Sequence, residues 1–127
     1  MTLEEERSCM EPLLLAGQLI VESGGEIYRV EETITRMGRA FGLEAVESFA
    51  VPSGLFISFR LSDGNTESAV KRVRLVATDM DRVDRVNRIS RQVEARQITR
   101  EEAIEALREV AARDNRQIGR ASCRERV

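Results

Sequence analysis

The sequence predicts an α+β fold: two N-terminal helices, a small three-stranded antiparallel sheet and two C-terminal helices. Apolar residues recur at helical spacing up to Phe41 and again from Met80 onward. Between them the pattern turns to short runs rich in β-branched and aromatic residues. Turn residues, Pro52-Ser53-Gly54 and Asp63-Gly64-Asn65, divide that middle stretch into three.

A first helix is predicted over residues 3–22, carrying Leu13, Leu14, Ala16, Leu19 and Ile20, with Pro12 early enough to start or kink it. Ser23 followed by Glu26 has the Ser-x-x-Glu form of a capping box and predicts the start of a second helix. Ile27, Val30, Ile34, Met37 and Phe41 step by three and four along one face, and Gly42 stands where a helix-ending glycine belongs. Strands are predicted at residues 45–51, 55–61 and 69–77. Asp79 and Thr78 are good N-cap residues for a helix bearing Met80, Val83, Val86, Ile89 and Val93. Thr99 and Glu102 form another capping box, with Ile98 placed to pack on Ala103. Met37 and Met80 fit helix core positions. Arg82, Arg85, Arg88 and Arg91 read as the solvated side of their helix, with anionic headgroups as a less frequent neighbour of such a face.

At 127 residues, 42% hydrophobic and 33% charged, the chain has room for one domain with a modest core. The last ten residues, IGRASCRERV, match residue for residue the translation of a short-read sequencing adapter, ATC GGA AGA GCG TCG TGT AGG GAA AGA GTG. Residues 1–116 are therefore expected to form the domain, and 117–127 to be an adapter-derived artefact outside the fold. The formal charge is −2, and removing the three Arg and one Glu of that tail leaves −4, the wrong sign for a nucleic-acid partner.

Histidine is absent, which excludes imidazole acid–base chemistry and His-ligated metals; no metal and no cofactor is expected. Cys9 and Cys123 are the two cysteines, and a lone natural Cys9 gives no disulfide framework. The N-terminus carries Glu4, Glu5 and Glu6 where a secretory signal needs Lys or Arg, so export of this chain is not expected. The longest apolar stretch, Leu13 to Val21, falls far short of the ~20 residues that span a bilayer.

A serine hydrolase would require a base for Ser23; no His exists, and the only lysine, Lys71, has no spacing that pairs it with Ser23. Adjacent acids such as Glu31/Glu32 and Glu101/Glu102 point apart on a helix and suggest no carboxylate pair. An enzyme is not expected. Two readings of Ser23-Gly24-Gly25 stand: an anion site built from free N–H groups at a helix start, or, more commonly, a capped helix start with glycines for a tight corner. Arg29 and Glu31 have two readings as well: orientation of a zwitterionic amino acid, carboxylate on Arg29 and ammonium on Glu31, or a structural ion pair or interdomain contact.

Several motifs occur in an order that carries a family resemblance. They are Ala16-Gly17, Ser23-Gly24, Arg29-Val30-Glu31, Phe41-Gly42, Pro52 to Ser58, Val83 to Val93 with Asn87, and Thr99 to Leu107. The chain resembles, from about residue 13 to about residue 110, the N-terminal soluble domain of the threonine/serine exporter family. The resemblance implies a cytoplasmic domain of an inner-membrane transporter that exports amino acids or, in some branches, dicarboxylates. It implies as partners the protein's own missing transmembrane bundle or a partner membrane subunit, a small amino acid or dicarboxylate as ligand, and a homo-oligomer. The chain departs from the pattern in lacking that bundle. Ser23, Gly24, Arg29, Glu31, Ser53 and Gly54 are the candidate ligand-binding or interdomain residues. The alternative reading is a free-standing regulatory or small-ligand-binding α+β domain without transport activity.

Overall fold

The computed structural model describes the backbone of residues 1–126 and the side chains of residues 1–113. Its elements, in order, are α1 (Leu3–Ser8), α2 (Met10–Glu22), α3 (Ile27–Ala40), β1 (Glu44–Val51), β2 (Gly54–Arg60), β3 (Thr66–Arg72), α4 (Met80–Glu94) and α5 (Arg100–Arg126). The α+β arrangement is the one predicted: helices, an antiparallel sheet in the order β1-β2-β3, then helices. The expectation that residues 117–127 are an artefact falls on side chains outside the described residues.

The helix predicted over residues 3–22 is divided at Cys9. Pro12 has no N–H for the carbonyl of Ser8, and its ring crowds that carbonyl, so the helix loses a bond there. The Ser8 hydroxyl and the Cys9 thiol both turn back on the Glu5 carbonyl, at 2.6 and 3.4 Å. A capping box that the sequence also carries, Thr2 with Glu5, starts α1: the Glu5 N–H donates to Thr2 Oγ1 and the Thr2 N–H to Glu5 Oε1.

Ser23 does not cap α3. It is the C-cap that follows α2, and the N-cap of α3 is Glu26, which makes no side-chain cap. Gly24 is the reason: its φ of +79° is the left-handed conformation that stops a helix. The Gly24 N–H donates to the Val21 carbonyl at 3.1 Å and the Gly25 N–H to Ile20 at 2.9 Å, a Schellman closure that turns the chain before α3 can begin. At the other end of α3, Gly42 closes the helix as predicted, with φ +85°.

The third strand lies earlier than residues 69–77. β2 pairs from Gly54↔Arg72 through Arg60↔Thr66, so the partner strand fixes β3 at Thr66–Arg72. Leu61 and Asn65 close the preceding turn, where the Leu61 N–H donates to the Asn65 carbonyl at 2.7 Å. Residues 73–79 run on without pairing to the sheet and cross to the end of α2.

The helices cover one sheet face. Leu55, Ile57 and Phe59 of β2 are buried beneath Leu13, Ala16, Leu19 and Ile20 of α2 and Val30, Ile34 and Met37 of α3. Gly17 permits this closeness: a Cβ there would stand 2.8 Å from Leu55 Cδ2. Val83, Val86, Ile89 and Val93 of α4 and Ala103, Leu107 and Val110 of α5 complete the core. Met80, predicted to be a core residue, is exposed at the first position of α4, while Arg82 and Val83 in the same turn are buried. The predicted Thr99/Glu102 capping box is formed, with reciprocal bonds of 2.9 and 3.1 Å.

Two outcomes follow for stability and reactivity. A Cβ on Gly25 would meet Ile20 Cγ2 at 2.4 Å and the Ile20 carbonyl at 3.1 Å, so Gly25→Ala should destabilise by about 1–3 kcal/mol in urea unfolding. Burial pushes the Cys9 thiol up, with the neighbouring Arg100 opposing in part. In a Cys123→Ser variant, Cys9 should therefore react with a thiol reagent at least about tenfold more slowly than a peptide cysteine until denaturant is added.

Candidate functional site

The six residues singled out from the sequence fall in three places. Ser23 and Gly24 form the corner after α2, Arg29 and Glu31 lie on the first turns of α3, and Ser53 lies in the hairpin turn between β1 and β2, with Gly54 the first residue of β2. At the corner, the N–H groups of Ser23, Gly24 and Gly25 are all spent on carbonyls of α2. They face the C-terminal, negative end of a helix rather than a positive one. Ser53 is exposed, and its carbonyl accepts the Val73 N–H at 3.3 Å, which ties the hairpin turn to the end of β3.

Arg29 and Glu31 point apart, as residues two apart on a helix do. Glu31 turns to the sheet: its Oε2 accepts the Ala50 N–H of the edge strand β1 at 3.0 Å. Arg29 turns to α4. There it lines a cavity of about 160 Å³ with Tyr28, Glu32, Thr33, Arg36, Asn87 and Arg91.

This α3–α4 cleft gathers charged and polar side chains from two helices. Arg36 is its centre, with only 14% of its side chain exposed. It donates from Nη2 to Glu32 Oε1 at 2.8 Å, and from Nη1 to Asn87 Oδ1 at 3.3 Å and Ser90 Oγ at 3.4 Å, while its Nε lies 3.7 Å from Glu94 Oε2. Arg29 and Arg91 have no ion-pair partner among the described residues, so the cavity wall carries an excess of positive charge. The hydroxyl of Thr33 is buried with no hydrogen-bond partner among them either. Three guanidiniums, two hydroxyls and a carboxamide beside one carboxylate, Glu32, which pairs with Arg36, suit a small ligand bearing a carboxylate.

Sequence reasoning named Arg29 but missed Arg36, Thr33, Asn87 and Arg91 as parts of one site. A signal was present. Arg29, Glu32, Thr33 and Arg36 are spaced i, i+3, i+4, i+7, and so are Asn87, Ser90, Arg91 and Glu94, giving each helix a polar stripe beside its apolar one. What one sequence could not give is that the two stripes face each other.

Arg82 is a second correction, since it is 2% exposed rather than solvated. Its Nη1 donates to Ser23 Oγ at 3.4 Å and its Nη2 lies 3.7 Å from Glu22 Oε1. A cation is favoured there because the carbonyl end of α2 is negative. The Asp79 side chain caps α4 by accepting the Arg82 N–H at 3.1 Å, as predicted for an N-cap at that residue.

Comparison with known families adds the deciding observation. A family model described as "Putative threonine/serine exporter" matches residues 11–120. The chain belongs to the threonine/serine exporter family. The match covers α2 through most of α5, and hence every residue of the cleft and the corner. This exporter family is one of transporters, not of enzymes. No curated protein and no solved structure matches the chain. Within the described residues, no helix of this family member is long and apolar enough to cross a membrane.

The buried guanidinium gives a stability test. Arg82→Ala leaves the Glu22 carboxylate and the end of α2 without their cation and should cost about 3 kcal/mol in chemical unfolding. Arg88→Ala, on the exposed side of the same helix, should stay within about 0.5 kcal/mol.

Proposed function

We propose that this chain is the cytoplasmic N-terminal domain of an inner-membrane amino-acid exporter, and that it works with a transmembrane bundle. That bundle belongs either to the remainder of its own chain or to a partner membrane subunit. The family match over residues 11–120 carries this reading. Residues 1–116 form the natural part of the domain in this proposal, which gates or regulates transport and performs no catalytic step.

In the same reading the α3–α4 cleft holds the small amino acid or dicarboxylate. Arg29 and Arg91 take a carboxylate, Glu32 takes the ammonium, and the Thr33 hydroxyl gains the partner it lacks. Glu31, bound to the Ala50 N–H, is a positioning contact between α3 and β1. A cavity of about 160 Å³ has room for roughly five waters at about 30 Å³ each, the scale of a small amino acid. Ser23, Gly24, Ser53 and Gly54 serve the interdomain role, at the corner and hairpin ends of the domain.

The self-contained core and its polar cleft also favour the second reading, a free-standing regulatory or ligand-binding domain. Sequencing the source DNA across the Arg116 codon separates the two. Apolar stretches of about 20 residues, in the continuing frame or in a reading frame beside it, support the exporter, and a stop codon soon after Arg116 with no such stretches encoded next to it contradicts it.

Ligand binding has its own readout. Titration of the ¹⁵N-labelled chain with L-threonine, L-serine or succinate should move the amides of Arg29, Thr33, Arg36, Asn87 and Arg91. The double variant Arg29→Ala/Arg91→Ala should weaken binding by about tenfold or more, because two charge-assisted contacts are lost. Shifts confined to other parts of the domain would remove the cleft from the account.

A further inference from the structure

The sheet face turned away from the helices carries an unbroken apolar row. Phe49 of β1, Phe56 of β2 and Val70 of β3 stand directly across from one another in the register, and they are 62%, 37% and 76% exposed. Alternation would place polar residues on a solvated face, as it does with Glu47, Ser58 and Ser68 one step along. The row also stops at an open edge. β1 is flanked by α3, whose Glu31 takes an edge N–H, whereas β3 pairs with β2 alone among the strands. An unpaired strand edge is a template for another strand.

We propose that β3 pairs antiparallel with β3 of a second copy of this chain, joining two sheets into one of six strands. Charge and register select the second copy as the occupant. Facing residues must share a sheet face, so the self-pairing of β3 is restricted to registers centred on a residue. Centring on Ala69 pairs all of Thr66 to Arg72, the greatest overlap available. It sets Glu67 opposite Lys71 of the other copy, twice by symmetry, on the inner face beside Ala69. A register centred on Ser68 or Val70 shortens the overlap and puts no opposite charges face to face. Lys71 is the only lysine in the chain, and a lone edge lysine repels an unmatched strand; here the matching acid comes with the second copy. Among the described residues of its own chain, Glu67 has only a long 4.0 Å ion-pair contact, to Arg7. Val70 falls opposite Ser68 and diagonal to Val70 of the other copy, so the apolar row runs on across the junction.

Sedimentation equilibrium of the full chain tests this, and it requires no ligand and no transport. The wild-type chain should be a dimer. Glu67→Lys puts Lys opposite Lys, and Lys71→Glu puts Glu opposite Glu, so each should weaken the dimer by about tenfold. Mixing the two single variants should restore a dimer of one chain of each, since both junction pairs become Lys with Glu. The double variant E67K/K71E should again form its own dimer. A wild-type chain that stays monomeric to about 1 mM overturns the proposal. So does a dimer indifferent to both single substitutions, or a failure of both the mixture and the double variant to recover.

Discussion

The C-terminal end of α2 is the constraint on which the rest of the structure depends. A helix leaves its last four carbonyls without intrahelical partners. Here the Leu19, Ile20 and Val21 carbonyls are taken by the N–H groups of Ser23, Gly24 and Gly25, and that of Glu22 by Val76 and Ala77 at 2.9 and 3.2 Å. The Ser23 carbonyl then takes the Asp79 N–H at 3.0 Å. One helix end thereby fixes the direction of α3, stops the chain as it leaves the sheet and sets the first residue of α4. Arg82, one turn into α4, lies against the same end with its guanidinium on Ser23 and Glu22. Its burial follows from the negative field of that end, which offsets part of the loss of hydration.

The α3–α4 cleft inherits its geometry from this corner. Because α3 and α4 both start from it, their polar stripes are held face to face, and Arg36 bridges them through Asn87 and Ser90. The ion pairs of Arg36 involve Glu32 and Glu94, whose side chains are largely exposed, so they add little to stability. Their effect is to aim the guanidinium. Stability comes from the apolar stripes beneath, each buried Leu, Ile, Val or Met side chain contributing about 1.5–3 kcal/mol before chain entropy is subtracted. Two stripes on each helix thus separate apolar packing from the polar cleft, and the cleft can keep Arg29 and Arg91 without ion-pair partners among the described residues, and an unsatisfied Thr33 hydroxyl, without endangering the fold.

Much of the fold was legible in the sequence. The apolar periods of α3 and α4, the closing Gly42, the hairpin turn at Pro52 and Ser53 and the Thr99 capping box stand as read, because each depends on residues within a turn or two of one another. The misreadings share a different cause. Ser23 with Glu26 has the form of a capping box, but Gly24 ends α2 first and Arg82, far along the chain, claims the Ser23 hydroxyl. β3 was displaced because Val73, Leu75 and Val76 continue a strand-like pattern that only pairing with β2 brings to an end. Of the site, Arg29 could be named from its motif, while its partners Arg36, Asn87 and Arg91 come together only when two helices pack. Local rules found the elements, and long-range contacts decided which of their faces meet.

The chain belongs to the threonine/serine exporter family, and its described residues form one α+β unit. In it a single helix end organises both the packing and the cleft. Native-state hydrogen exchange measures that most directly. The amides of Gly24, Gly25, Val76, Ala77 and Asp79 should open only with the whole domain, with the same free energy as the core amides of Leu19 and Ile20. Exchange of those corner amides through a local opening of less than about 2 kcal/mol, while α2 and α3 remain protected, would contradict the account.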